Sequence, residues 1–342
     1  MFDLRQWLWQ WQLRSREPVR RAVLACIALG ASLVAAAARA DDKFSFLTSW
    51  YAQAEHGGFY QALATGLYRQ VGLDVTIKMG GPQINGMQLL AADQADAVMG
   101  YDIAVMKARE QGVEAVTVAA SFQKDLQGMM THDDVASLAD LKDRTILVAT
   151  SGRSTWWPWL KSRYGYRDEQ TRPYTFNIQP FLADRQLAQQ GYPSSEPFAA
   201  AKAGAKVNFF LFADAGYPPY GTTIVTMKKT VDERPDVVRR FVAASMEGWK
   251  SFMQDPRPAA ALIKKDNPNM TDEMIAFAIR RMKELEVLDG GDAKTAGIGT
   301  MNAERFKATY EMLVANGLLD PKVDWKQTYT LQFVKDLRVT MP

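Results

Sequence analysis

From Phe44 onward, strand-like and helix-like patterns alternate along this chain, and that alternation restricts the fold more than any other property of the sequence. Phe44-Ser45-Phe46-Leu47-Thr48 reads as a strand. Glu55 to Arg69 reads as a helix with Phe59, Leu63, Leu67 and Tyr68 near one face, stopped by Gly72. Leu73 to Met79 alternates and is rich in β-branched residues, as a second strand should be. After the loop Gly80-Gly81-Pro82 come a short helix over Asn85 to Ala92, a strand over Ala95 to Met99, a helix over Tyr101 to Gln111 and a strand over Ala115 to Ala120. Strands separated by helices imply an open, largely parallel α/β sheet.

A second series follows. The patterns predict strands at Thr145 to Ala149, Tyr174 to Ile178 and Val207 to Phe212. They predict helices from Ser151 to Tyr164, Leu182 to Gln190 and Pro197 to Ala203. The chain is expected to cross from the first series to the second near His132 to Ala139. It should return through the turn-rich Gly216 to Gly221, before a strand at Thr222 to Met227. The remainder is helical: Pro235, suited to a first turn, opens a helix to Met253 with Val238, Phe241, Val242, Ser245 and Trp249 along one side. Helices at Pro256 to Lys265, Thr271 to Glu284 and Asn302 to Asn316 follow. The expected architecture is α/β: two lobes, two crossovers and a C-terminal helical tail. Lobe 1 takes 41–131 plus 222–342 and lobe 2 takes 132–221. The natural ligand site is the cleft where loops leave the carboxyl ends of the strands.

The first forty residues read differently. A basic, aromatic stretch ends in Arg20-Arg21, the 17 residues Ala22 to Ala38 are apolar, and Ala38-Arg39-Ala40 precedes Asp41-Asp42-Lys43. That is a signal peptide with cleavage after Ala40; the apolar run is shorter than the ~20 residues a membrane span needs. The leader holds six arginines and two acids, so its removal takes the net charge from +3 to −1. A body near neutrality offers no general attraction for nucleic acid. The single cysteine, Cys26, lies in the leader, which leaves the body without a disulfide, a thiolate metal site or a cysteine nucleophile.

The chemistry-bearing residues are few. The two histidines, His56 and His132, are too far apart to form a metal-ligand pattern with acids at helical spacing. His132 reads as a solvated loop residue beside acids, and no Gly-x-Ser-x-Gly elbow or phosphate-binding Gly-Lys-Ser/Thr loop occurs. No cofactor is expected. Ser151 to Thr155, at a helix start, either caps that helix or meets an anion. Aromatics say more: Trp50, Tyr51, Trp156, Trp157, Tyr192, Tyr217 and Tyr220 fall in loops or helix starts, where several could wall a flat ring, while Trp157 and Trp159 are expected to fill the core. Glu196, between Tyr192 and Pro197, could accept hydrogen bonds from a ligand's N–H groups. The candidate ligand-binding set is Trp50, Tyr51, His56, Asn85, Tyr101, Gln123, Ser154, Tyr192, Glu196 and Tyr220.

Three segments, Trp50 to Tyr60 (WYAQAEHGGFY), Leu89 to Met99 (LLAADQADAVM) and Gly191 to Gly204 (GYPSSEPFAAAKAG), resemble the periplasmic substrate-binding proteins of ABC importers. The nearest branch is the thiamine-pyrimidine precursor group, which includes the hydroxymethylpyrimidine synthases, within the nitrate/sulfonate/taurine-type proteins. The resemblance runs from about Phe44 to Thr226. It implies a type II-like periplasmic-binding-protein fold that captures a small solute and passes it to an inner-membrane permease and its ATPase. It also implies a monomer. Trp50 or Tyr51 would stack on the solute's ring, Glu196 would meet ring nitrogens, and His56 matches the branch's histidine. The synthases carry a cysteine-rich iron motif that the body of this chain lacks, which favours transport over catalysis. Phe181 to Gln190 (FLADRQLAQQ) replaces the Gly-x-x-Asp expected there. An alkanesulfonate or nitrate ligand is the alternative, with Ser151, Arg153 and Ser154 as its site.

Overall fold

In the computed structural model, which describes residues 41–341, the chain from Asp42 builds two five-stranded sheets. The leader expected over residues 1–40 lies outside the described residues. The first sheet has the order β2 (Leu73–Lys78), β1 (Asp42–Leu47), β3 (Ala97–Gly100), β10 (Gly221–Met227), β4 (Ala115–Phe122). The second has the order β7 (Thr171–Pro173), β6 (Thr145–Val148), β8 (Leu187–Gly191), β5 (Gly128–His132), β9 (Val207–Leu211).

The sheets are mixed where a largely parallel arrangement was expected. β1 lies parallel to β2 and β3, and β6 lies parallel to β7 and β8. β10 runs antiparallel to β3 and β4, and β5 runs antiparallel to β8 and β9. The reversed strand is in each case the one the chain enters straight from a crossing. No helix intervenes there to carry the chain back to the starting edge, so the strand runs the other way.

The crossings lie at residues 123–127, between β4 and β5, and at 212–220, between β9 and β10. The first comes upstream of the His132–Ala139 segment expected for it, because Gly128–His132 is a strand of the second sheet. Gly-Met-Met-Thr-His shows no alternation, and the reason is physical: all five residues are buried, so neither face needs polar side chains. His132 is therefore not a solvated loop residue. Its ring stacks on Phe181 at 4.1 Å and 3°, and its Nε2 lies 2.9 Å from the Phe181 carbonyl. Two further expectations fail nearby. Tyr174 to Ile178, expected as a strand, is irregular chain that follows the short β7, and Phe176 within it takes a left-handed backbone (φ 61°). The helix expected at Leu182 to Gln190 is instead the end of the helix Gln179–Ala183 and the strand β8.

The helix Pro235–Gln254 buries its apolar side against the helix Gly57–Ala64. The contact is close because it is made at glycines: a Cβ on Gly58 would sit 2.2 Å from Cγ of Trp249, and one on Gly248 would sit 2.2 Å from the Gly58 carbonyl oxygen. Phe44, Phe46, Phe59, Phe241 and Trp249 form the centre of this lobe. The helices Arg257–Asp266, Asp272–Glu284 and Ala303–Ala315 complete the tail. Trp157 and Trp159 are buried in the core, as expected. Among the described residues, no helix is long and apolar enough to cross a membrane.

Candidate ligand-binding site

The carboxyl ends of β1 and β3 face those of β6 and β8, and the loops leaving them meet. The loop after β1 carries Ser49, Trp50 and Gln53; the loop after β8 carries Tyr192 and Ser195 and opens the helix Glu196–Lys202. Between them is a cavity of about 40 Å³ lined by Ser49, Trp50, Gln53, Tyr101, Gln127, Ser151, Tyr174, Gln190, Gly191, Tyr192, Ser195 and Glu196. One aromatic wall comes from each lobe: Trp50 and Tyr174 are nearly parallel, 12° apart with ring centroids at 5.9 Å, and Phe176 meets Trp50 edge-on. Across the same seam the hydroxyls of Tyr101 and Tyr192 share a hydrogen bond of 2.7 Å.

Glu196 is held rigidly. Tyr174 donates its hydroxyl to one carboxylate oxygen at 2.6 Å, and the Tyr192 backbone N–H donates to the other at 2.7 Å. Burial raises its pKa to about 7 against the lowering effect of these two bonds, and the nearby Glu55 adds to the rise. Glu55 itself is fully buried beneath the cavity, accepts a hydrogen bond from the Ser194 hydroxyl, and has its pKa raised by burial. Two acids close together in a dry site favour a shared or retained proton over two charges. Among the lining residues of this cavity there is no lysine, arginine or histidine.

A second chamber of about 70 Å³ adjoins the first and shares Ser49, Tyr101 and Ser151 with it. Asn85 and Ser154 line this chamber. The structure thus brings Trp50, Tyr101, Tyr192 and Glu196 together in one cavity, and sets Asn85 and Ser154 beside it. Tyr51 is not in either lining; it packs on Phe176 at 6.1 Å.

His56, Gln123 and Tyr220 are not brought to the cavities, and each has another role. His56 is fully buried at the head of the helix Gly57–Ala64, and burial lowers its pKa to about 3, so it is a neutral packing group. Its Glu-His-Gly-Gly context is a packing device, with Gly57 and Gly58 set against the rings of Phe252 and Trp249. Gln123 lies in the first crossing and donates its amide to the Thr300 carbonyl at 2.9 Å. Tyr220 lies in the second crossing; its hydroxyl accepts from the Asn302 backbone N–H and its ring lies 4.1 Å beneath the Arg305 guanidinium.

Sequence reasoning misses Tyr174, Gln127 and Gln190. The local pattern puts Tyr174 at the start of a strand and Gln190 at the end of a helix, and neither reading sets a side chain at the carboxyl end of a strand. Gln190 accepts from the Ala149 N–H at 2.5 Å, which fixes the start of the helix Thr150–Ser154 against β8. Arg153, expected to serve an anion, is exposed and absent from both linings.

Comparison with known proteins shows the family and the fold. A family model described as NMT1/THI5 like matches residues 53–259, more than half of the chain. The chain is 24% identical over 288 residues to the riboflavin-binding protein RibY of Chloroflexus aurantiacus, covering 81% of each. It is 24% identical over 295 residues to the formylaminopyrimidine-binding protein of Halalkalibacterium halodurans, covering 81% of this chain and 86% of that protein. Among solved structures, the periplasmic aliphatic sulphonate binding protein SsuA of Escherichia coli superposes with a TM-score of 0.61 at 15% identity, over 88% of this chain and 97% of that one. The two sheets with their paired crossings are the fold of the periplasmic binding proteins. With the family match spanning the whole second sheet, every strand of the first but β1, and the helix Pro235–Gln254, this protein belongs to the NMT1/THI5-like family.

Proposed function

We propose that this protein is the solute-binding component of an ABC importer and that its solute is a flat nitrogen heterocycle of the pyrimidine or flavin kind. The observation that carries this is the cavity lining: parallel aromatic walls from the two lobes, a buried acid at one end, and no cation. With the lobes parted, a ring can stack against these faces, and its N–H groups find acceptors in Glu196 and the glutamine amides. A sulfonate entering the same cavity would meet buried acids with no compensating charge, which the low local dielectric makes costly. The relatives' names, which describe binding of a riboflavin and of a formylaminopyrimidine, support ring recognition. The cysteine-free body supports binding over iron-dependent synthesis. The protein then works as a periplasmic monomer that hands its solute to a permease driven by an ATPase. Export cleavage after Ala40 leaves one residue before β1, and N-terminal sequencing of exported material should begin at Asp41.

Titration calorimetry on wild type, Trp50→Ala and Glu196→Gln tests the reading. Removing the Trp50 wall should weaken all ring ligands together, by ~1–3 kcal/mol. Glu196→Gln should weaken chiefly ligands that present N–H groups, since its amide also donates. Wild-type affinity in both variants, or tight binding of an alkanesulfonate, would falsify the proposal.

A further inference from the structure

Beneath the first cavity a hydrogen bond crosses between the lobes that ring binding does not use. Glu55 lies in the single-turn helix Ala54–His56, in the loop after β1, and accepts from the hydroxyl of Ser194, in the loop after β8. Both side chains are buried, Glu55 at 1% exposure and Ser194 at 2%. Ser194 stands two residues before Glu196, whose carboxylate accepts from the Tyr192 N–H across the same turn. The bond therefore fastens to lobe 1 the loop that presents the cavity's acid. The helix Glu196–Lys202 is also held to lobe 1 farther along, by Phe198 on Phe277 at 5.2 Å and by Lys202 with Glu273 at 2.8 Å. That ion pair is exposed and contributes little, whereas the Glu55 bond is dry.

The groups that face Glu55 decide what its bond responds to. His56, its neighbour in the turn, is neutral, because burial lowers its pKa to about 3. The second lobe brings the Ser194 hydroxyl, the Tyr192 phenol and the Glu196 carboxyl. The helix Gly57–Ala64 brings Tyr60, whose hydroxyl is already given to Asp266. The helix Asp272–Glu284 turns Ile275, Ala278, Ile279 and Met282 inward. Among the described residues no cation acts on Glu55: burial raises its pKa, and the Ser194 bond and its own backbone offset only part of the rise. When the lobes part, Ser194 leaves with lobe 2 and water reaches Glu55, which then ionises as an ordinary carboxyl. Closing the cleft expels that water and brings one acid to another, so the closed form holds the proton more tightly than the open form. Closure is therefore favoured at low pH, and the advantage is lost as pH rises.

We propose that Glu55 is a positioning residue that ties the Glu196 loop to lobe 1, and that through it closure of the cleft depends on a proton. The proposal rests on the reading of the cleft as a solute site whose lobes part, and not on which solute enters.

Small-angle scattering of the unliganded protein tests it. Wild type should be more compact at about pH 5 than at about pH 8.5. Glu55→Gln keeps an oxygen for the Ser194 hydroxyl and cannot ionise, so its radius of gyration should stay at the compact value throughout. Ser194→Ala should expand the protein at acid pH, where Glu55→Gln stays compact. Simple loss of packing at Glu55 would not give compaction by the amide together with loss of the pH response. A wild-type radius that ignores pH overturns the proposal. A pH response that persists in Glu55→Gln also overturns it, since its source would then be another buried acid such as Glu196 or Asp102. If Glu55→Gln fails to fold, as judged by circular dichroism, Ser194→Ala decides: a radius equal to wild type at acid pH removes the tie. Calorimetry with riboflavin and cytosine judges the solute reading separately. Binding of either beside a pH-independent radius leaves that reading standing and removes this one, and no binding beside a Glu55-dependent radius does the reverse.

Discussion

At Glu196 the folded protein keeps a carboxyl out of water with one hydrogen bond to each oxygen. Its pKa rises from 4.5 to about 7, chiefly through burial. The sign of the consequence follows from proton binding. Above pH 4.5 the unfolded chain gives up this proton, while the folded chain keeps it until about pH 7. The stabilisation from this group is thus complete below the unfolded value and is lost as pH rises through the folded one. The lost amount is on the order of 3 kcal/mol, since each tenfold difference in proton affinity between the two states is worth ~1.4 kcal/mol. Glu196→Gln mimics the protonated form, since its carbonyl oxygen can accept from Tyr192 N–H and its NH₂ can donate to the Tyr174 oxygen. Urea denaturation between about pH 4.5 and pH 8.5 should therefore show wild type losing more stability than Glu196→Gln, by that order of magnitude. Equal losses would mean that Glu196 ionises freely in the fold.

Among the elements, the paired helices Gly57–Ala64 and Pro235–Gln254 are the most sensitive to volume. Trp249 is fully buried where a Cβ on Gly58 would intrude, so neither partner can step aside. Gly58→Ala should lower stability by ~1–3 kcal/mol or more, read by thermal unfolding, through overpacking and not through backbone freedom. A change within about 0.5 kcal/mol, the scatter of ordinary surface substitutions, would show that the helices can separate at no cost. The crossings have their own tie. Arg305, in the helix Ala303–Ala315, donates to the carbonyls of Gln123, Pro218 and Pro219 at 2.5, 2.8 and 3.0 Å and stacks on Tyr220. One planar guanidinium thus holds both crossings, and beside it Asp102 accepts from the Tyr220 N–H. Arg305→Lys keeps the charge but cannot reach three carbonyls at once. It should cost ~1–3 kcal/mol of stability and change the affinity of every ligand by the same factor, because the residue touches the crossings and not the cavity. Effects that differ from ligand to ligand would contradict that assignment.

For the molecule as a whole, the lobes meet through scattered ring, hydroxyl and ionic contacts, among them Phe198 on Phe277 and Lys202 with Glu273. Trp50 meets Tyr174, Tyr101 meets Tyr192, Ser194 meets Glu55, and the Thr150 N–H donates to the Pro82 carbonyl at 3.2 Å. The cavity of about 40 Å³ is far below the ~300–1,000 Å³ of ordinary small-molecule sites, so entry of a ring requires the lobes to part. The crossings at 123–127 and 212–220 are the segments that can bend, since they alone connect β4 to β5 and β9 to β10. Small-angle scattering should give a larger radius of gyration for the protein without ligand than with saturating ligand. Identical curves under conditions where calorimetry records binding would rule out closure about these segments.

Local patterning decided a good deal of this fold. The strands β1, β2, β3, β4, β6, β9 and β10 carry β-branched or alternating residues, and the tail helix shows its apolar side in Val238, Phe241, Val242 and Trp249; each is written within a dozen neighbouring residues. Trp50 was legible as a site candidate because it follows an expected strand, and Tyr192 and Glu196 as a loop aromatic and a loop carboxylate before a helix, although the strand ahead of them read as a helix. What local patterning could not decide depends on partners far away in sequence. Leu187-Ala188-Gln189-Gln190-Gly191 has helix-forming residues, yet it is a central strand because β6 and β5 flank it and their ladders satisfy its backbone. Gly128–His132 is buried on both faces and so has no alternation to read. The same distance separates residue type from role: His56 looks like chemistry and is core, while Tyr174 looks like core and walls the cavity. Propensity and periodicity act over one element, whereas burial, strand order and the meeting of loops are set by the packing of all of them, and only the tertiary structure contains that sum.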